Sequence, residues 1–419
     1  MAVRTLSGAV PPATLFASSA ASTLRLFTRS DSNAGEIFSS VSTGSAVQGP
    51  FCFSASAAAV FTQNLVVAAP VLLSKKHLER SGGRMRAVVV NAGNANCATG
   101  AQGAAASLRT VEEAARRLRA QPEEVFVCST GVIGVPLPVE KILRALPSLT
   151  RNRRPSARSF AELSLAICTT DTRPKTAAAS FKMAGKRIHL VGCAKGAGMI
   201  HPNMATTLAF VVTDAAIAPA LLQKTLNEVT RRTFNSISVD GDTSTNDTLL
   251  VLANGEAGAP IITSGSKAHR AFILALEGVC QSLALQIVAD GEGAQRVIEI
   301  EVRHAKSEAG ARRIAETIAT SPLVKTAFAG GDPNWGRVFA AAGRSGVKFD
   351  PALVDIEMAG IPVLRRGQPL GFNERAASNK LLADHVALVV DLHAGDAAAR
   401  YWTCDFTSEY VRINASYRT

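Results

Sequence analysis

The stretch that most narrows the possible folds is residues 195–214, Lys-Gly-Ala-Gly-Met-Ile-His-Pro-Asn-Met-Ala-Thr-Thr-Leu-Ala-Phe-Val-Val-Thr-Asp. An apolar run, 189–193, precedes it, and a second apolar run, 208–212, closes it. Between them stand a lysine, two glycines and the pair Thr206-Thr207 after the small residue Ala205. Two core strands joined by such a link leave hydroxyls where burial would favour carbon. The pattern makes chemical sense if one hydroxyl is a nucleophile held at the start of a strand.

Along the rest of the chain, strand and helix patterns alternate. Residues 86–92 read as a buried strand, followed by a turn-rich loop and a helix over 104–120. Residues 124–128 read as a second strand running into Ser129-Thr-Gly-Val-Ile-Gly134, with a short helix over 139–146. A strand, a small glycine loop and a helix can aim backbone N–H groups at an anion. Residues 161–168 are helical or extended, 187–193 a strand, 219–232 an amphipathic helix and 271–287 a long apolar helix. Asn235 to Asp247 is dense in hydroxyls, amides and acids, able either to bind a cation or to satisfy its own backbone. Beyond it, 296–302 reads as a half-buried strand, 307–320 as a helix, and 354–358 and 387–392 as strands. The tail alternates like a strand to Ile413. Alternation of this kind argues an α/β (α+β) fold.

Composition excludes several classes. The seven cysteines are scattered and odd in number, without a Cys-x-x-Cys pair, so neither a disulfide framework nor a zinc site is expected. The formal charge of +12 raises nucleic acid as a partner, but the basic residues are spread and aromatics are only 5%, which supplies few stacking platforms. Asp214 and Pro219 interrupt the apolar segment 208–222, and no membrane span is expected. The first thirty residues hold three arginines, nine serines or threonines and no acid, the composition of an organellar presequence removed before about residue 40. Mitochondrion and plastid fit it equally.

Taken together the loops resemble the bifunctional ornithine acetyltransferases, or glutamate N-acetyltransferases, of arginine biosynthesis. The matching pieces are Gly93-Asn-Ala-Asn96, Ser129-Thr-Gly-Val-Ile-Gly134, Thr169-Thr-Asp-Thr172, the central stretch to Thr206, Asn235-Ser through Asn246-Asp247, Gly291-Glu-Gly293, Gly330-Gly-Asp-Pro-Asn-Trp-Gly336 and the tail to Thr419. They occur in the family's order over roughly residues 60–419. Residues 36–60 match the family's opening poorly, which leaves the first strand open. Thr207 stands where the family more often has methionine.

The resemblance implies a layered sheet–helix sandwich of the self-cleaving aminopeptidase/ornithine acetyltransferase type, with a smaller C-terminal α/β portion. It implies self-cleavage between Ala205 and Thr206, giving an alpha chain over 41–205 and a beta chain over 206–419, two of each in the assembly. Thr206 is then the nucleophile and its freed α-amine, with a pKa of about 8, the base. Thr130 and Gly131 match the oxyanion hole. Thr169, Thr170, Lys195, Thr206, Glu292, Asn414 and Thr419 match the substrate-binding positions. The implied reaction moves an acetyl group from N-acetylornithine to glutamate; no cofactor or metal is expected, and acetyl-CoA stays open as a second donor. The alternative is an aminopeptidase or amidase of the same architecture. His201 reads as a loop residue, and Asp240, Asp242 and Asp247 as structural.

Overall fold

The computed structural model describes residues 54–152, 156–201 and 207–416. The strands are β1 Ala55–Phe61, β2 Arg84–Met85, β3 Ala87–Asn94, β4 Val125–Val132, β5 Lys175–Met183, β6 Lys186–Lys195, β7 Leu208–Thr213, β8 Ile237–Ser238, β9 Thr248–Ala253, β10 Val297–Ala305, β11 Asp355–Met358, β12 Ile361–Arg365, β13 Gln368–Pro369, β14 His385–Asp391 and β15 Ala397–Cys404. The α-helices are α1 Ala69–Arg80, α2 Gly100–Leu118, α3 Val139–Arg151, α4 Ala157–Ala166, α5 Pro219–Arg232, α6 Lys267–Ala289, α7 Glu308–Ala319, α8 Pro322–Ala329, α9 Trp335–Gly343, α10 Glu374–Leu381 and α11 Ser408–Ser416.

A six-stranded sheet in the order β2-β1-β9-β7-β6-β5 forms the centre. Strands β7 and β9 at its middle are buried on both faces, and the two-residue period divides their side chains between two cores. Leu208, Phe210 and Val212 join Leu250 and Leu252 in one core with Val88, Val90 and Phe126 from the parallel pair β3–β4. Ala209 and Val211 face the other way, into a core with Leu222 and Leu226 of α5 and Val279 and Leu283 of α6. That second core also holds Val297, Trp402 and Cys404. Helix α6 is thus wedged between the central sheet and a second sheet of seven strands, β13-β12-β11-β14-β10-β15-β8. An all-round apolar helix is what such a place requires. Helix α6 is also long and apolar enough to cross a bilayer, but Phe272, Leu276, Val279, Cys280, Leu283, Ile287 and Val288 are all buried inside the protein.

The third core lies between the seven-stranded sheet and helices α7, α8 and α9, joining Ile298, Ile300 and Val302 to Ile314, Ile318, Val324 and Val338. This is the C-terminal portion, and with the layers above it gives the mixed sheet–helix sandwich that the sequence implies.

Three sequence expectations change. Residues 55–61 form an ordered strand after all: β1 is alanine-rich and weak in strand propensity, but it pairs along its whole length with β9. The tail does not continue as a strand beyond Cys404. It turns into α11, where the Glu409 N–H donates to Thr407 Oγ1 (3.2 Å) and the Phe406 and Tyr410 rings stack at 4.6 Å. Strand β4 runs on to Val132, so Thr130 and Gly131 sit on the strand itself, and the next helix begins only at Val139. A helix N-terminus therefore does not supply the anion site expected there. The presequence expected over residues 1–40 falls outside the described residues.

Candidate active site

Strand β6 delivers Lys195 at its last position, and β7 starts opposite it, with Lys195 and Leu208 in register. The link between them therefore starts and finishes at the same end of the sheet. Its far end is pinned twice: the Thr207 hydroxyl donates to the Lys195 carbonyl, and the Thr207 carbonyl accepts from the Thr248 N–H at 2.9 Å. Its near end is held by Asp240, whose carboxylate accepts from the N–H groups of Met199 (2.6 Å) and Ile200 (2.8 Å). Met199 and Thr207 both border a cavity of about 250 Å³. Ala205 and Thr206, the expected cleavage pair, lie outside the described residues, as does Thr419.

The β3–β4 pair supplies the opposite wall. Gly131 pairs with Gly93, and its φ of +129° comes with backbone so close that an added Cβ would lie 2.3 Å from the Gly93 carbonyl carbon. Only glycine fits. Thr130, its neighbour, receives a hydrogen bond from Lys195 Nζ at 3.1 Å, which ties the two layers together across the cavity. The Asn246 side chain clips the same wall in place by donating to the carbonyls of Ala95 (2.6 Å) and Ser129 (2.9 Å). The hydroxyl-rich segment of 235–247 thus spends much of its polarity on the protein's own backbone. Asp240, Asp242 and Asp247 nonetheless line the cavity as well.

Below Lys195 lies a buried ionic network. Asp171 accepts from the Gly196 N–H (2.6 Å) and from Lys175 Nζ (2.6 Å), and Lys175, with no exposed surface, also reaches Asp290 at 2.5 Å. Burial pushes the Asp171 carboxyl upward, but Lys195 and Lys175 together outweigh it and hold the group below the usual carboxylate value. Thr169 and Thr170, just before it, line the cavity. The Thr169 N–H donates to Asp171 (3.0 Å), so the same carboxylate shapes that loop.

Glu292 closes the far side. It is 9% exposed, its N–H donates to the Ala197 carbonyl (2.9 Å), and its carboxylate accepts from Asn414 Nδ2 (2.9 Å). Gly198 makes room for it: a Cβ there would lie 2.4 Å from Glu292 Oε2. Gly293, at φ +72°, lets α11 come down on it, since a Cβ would meet the Tyr410 nitrogen at 2.4 Å. Burial pushes the Tyr410 phenol well up, so it borders the cavity as a neutral donor.

One cavity therefore brings together Thr130, Gly131, Thr169, Thr170, Lys195, Glu292 and Asn414, every described residue that the sequence singled out. His201 points elsewhere, toward Glu316 (3.1 Å) and Ser238 (3.3 Å), in keeping with its reading as a loop residue. Sequence reasoning missed the partners Lys175 and Asp290 and the wall residue Tyr410. The signal for Lys175 was a lysine opening a strand whose next apolar run is Ala177 to Ala179. The other two carried none that could be told from a turn or a tail. Chemically, the cavity lining offers the Lys195 cation, the buried Glu292 carboxylate and the polar side chains of Thr130, Thr169, Thr170 and Asn414, the complement of a small amino-acid derivative.

The family model for the ArgJ family matches residues 51–419. The chain is 48% identical over 363 residues to the arginine biosynthesis bifunctional protein ArgJ of Symbiobacterium thermophilum, covering 87% of this chain and 89% of that one. It is 51% identical over 358 residues to the protein of the same name from Thermus thermophilus, covering 85% and 89%. Among solved structures, ArgJ of Bacillus halodurans is 44% identical at a TM-score of 0.48, covering 49% of this chain and 96% of that one. An ornithine acetyltransferase of Mycobacterium tuberculosis, solved with ornithine, is 38% identical at a TM-score of 0.34, covering 38% and 80%. On the extent of the family match and the identity to these relatives, the chain belongs to the ArgJ family, the bifunctional ornithine acetyltransferase and glutamate N-acetyltransferase enzymes of arginine biosynthesis.

Proposed function

We propose that this chain cuts itself between Ala205 and Thr206 and then transfers acetyl groups through Thr206. The observation that carries the reading is the convergence of Lys195, Thr130, Gly131, Glu292 and Asn414 on the cavity that Met199, before that junction, and Thr207, after it, also border. Thr207 itself is spoken for, because its hydroxyl donates to the Lys195 carbonyl. The neighbouring hydroxyl, Thr206, is the one left for chemistry.

In the first half-reaction the Thr206 hydroxyl attacks the acetyl carbonyl of N-acetylornithine while its proton passes to the Thr206 α-amine. The tetrahedral oxyanion is met by donors at Thr130 and Gly131, each such donor being worth about 3 kcal/mol in comparable sites. The C–N bond breaks, the α-amine returns the proton to the leaving nitrogen, and ornithine departs from an acetyl ester. In the second half the amino group of glutamate attacks that ester, and N-acetylglutamate leaves with Thr206 restored. Lys195 pairs with the substrate α-carboxylate. Glu292, kept in place by Asn414, pairs with the side-chain ammonium of ornithine. Thr169 and Thr170 offer hydroxyls to the amide, and Thr419 lies at the end of the tail that α11 begins.

No cofactor enters this scheme, and acetyl-CoA stands as a second acetyl donor. The two pieces, 41–205 and 206–419, stay together, because β6 and β7 are neighbours in one sheet and the cores cross the cut; two copies of each make the assembly. The leader directs the precursor to mitochondrion or plastid. The acid-free, arginine-bearing composition of its first thirty residues supports this, as does a family match that begins only at residue 51.

Denaturing electrophoresis of purified protein tests the reading. Two pieces of similar size are expected from the wild type and one uncut chain from Thr206→Ala. A single band from both contradicts it.

A further inference from the structure

Far from this cavity, at the end of the seven-stranded sheet, two histidines and two aspartates meet. His304 is the second-last residue of β10, Asp391 the last of β14, and Asp355 the first of β11. Parallel register sets Arg303 beside Asp391, and antiparallel register sets Asp355 beside Asp391. A bulge in β10 between Val302 and Ala305 brings His304 to a φ of +50°. His393 follows β14 at φ +47°. Bulges re-aim side chains, and here both imidazoles are turned toward one carboxylate.

The contacts are specific. His304 Nδ1 lies 2.7 Å from Asp391 Oδ2, and His393 Nδ1 lies 3.5 Å from Asp391 Oδ1. On its other side His393 presents Nε2 to Asp355 Oδ2 at 3.0 Å. With Asp355 accepting from Nε2, the neutral ring would present its Nδ1 lone pair toward Asp391, the tautomer that a metal requires. Carboxylate–histidine pairs of this form stand behind ligating histidines in metal sites.

We propose that His304 Nδ1, His393 Nδ1 and the Asp391 carboxylate bind a divalent transition ion, zinc being the best match to two imidazoles and one carboxylate. The three donor atoms lie within 4.8 Å of one another. Tetrahedral bonds of about 2.0–2.1 Å place donors about 3.3 Å apart, so the set closes once the two imidazoles, stacked at 6.0 Å with 15° between their planes, turn toward a common point. His304 is exposed and Asp391 and His393 half-buried, so the ion can enter and the fourth position is open to water. Sequence spacing hides this site, because 304, 355 and 391 come together only through strand register.

The test uses the full-length protein without an affinity tag, stripped with chelator and titrated with Zn²⁺ against a chromogenic chelator. Co²⁺ serves as a visible-absorption probe of geometry. One equivalent per chain is expected for the wild type, absent in the double variant His304→Ala/His393→Ala. Asp355→Asn is expected to weaken it by about ten- to a hundredfold. Retained acetyl transfer in the double variant reports that it is folded. Equal uptake by wild type and double variant, or no equivalent in the wild type, overturns the proposal.

Discussion

Consider Gly198→Ala. Its built Cβ lies 2.4 Å from Glu292 Oε2, 2.6 Å from Oε1 and 2.5 Å from the carboxyl carbon, whereas ordinary contact starts at 3.4 Å. The carboxylate must retreat by about 1 Å, and a charge-assisted hydrogen bond of about 2.8 Å would stretch beyond useful length. Glu292 is buried and tied by Asn414, so it has little room to do so without leaving its place. Losing one hydrogen bond to a charged partner costs about 1.5–3 kcal/mol, or about 10- to 150-fold. In a ping-pong reaction each substrate's kcat/KM reports its own half. The ornithine half should fall by that factor, and so should the ornithine half of Glu292→Gln. The glutamate half, which brings no side-chain ammonium, should change far less. Equal loss in both halves for Glu292→Gln would refute the assignment of Glu292 to the ammonium. An unchanged ornithine half in Gly198→Ala would refute the steric reasoning.

Thr207→Val should still cut itself and still transfer acetyl groups, losing about 1 kcal/mol of stability with the hydrogen bond to Lys195; an uncut chain on a denaturing gel would contradict the choice of Thr206. Asp171 titrates lower in the folded protein than unfolded, so its contribution to stability is present above the ordinary value of 3.8 and fades as pH falls through the folded value. Acid unfolding followed by circular dichroism should accordingly show a shallower pH dependence below about pH 4 in Asp171→Asn, which starts from lower stability because Lys175 keeps only one carboxylate partner. Burial and the charge of Asp171 push the Cys168 thiol up to about 11, so at pH 8 the native protein should resist alkylation there, as mass spectrometry of labelled peptides would show. Gly293→Ala should dislodge α11 and with it Asn414, raising KM for N-acetylornithine and exposing the tail to protease.

Much of this architecture was legible because local signals agreed with tertiary ones. The amphipathic α5 runs from Pro219 to Arg232, where the apolar period begins and ends. Strand β9, by contrast, is buried at every position and shows no alternation to read, and β5 was hidden behind the turn signals that surround Pro174. The tail failed for a different reason. Strand β15 ends at Cys404 with its last four residues all buried, and α11 beyond it is fixed by contacts with Gly293 and Glu292, more than a hundred residues away. The site was readable to the extent that its loops carry a family's motifs. The support beneath Lys195 was not, because Asp171, Lys175 and Asp290 become a network only when β5 and the end of α6 are brought together.

The most direct measurement is intact mass of the mature polypeptides before and after brief exposure to N-acetylornithine without glutamate. The account predicts a chain beginning at Thr206 that becomes one acetyl group heavier, with the addition on its first residue and reversed by glutamate. A single continuous polypeptide, or a cut chain that gains its acetyl group anywhere else, would contradict it.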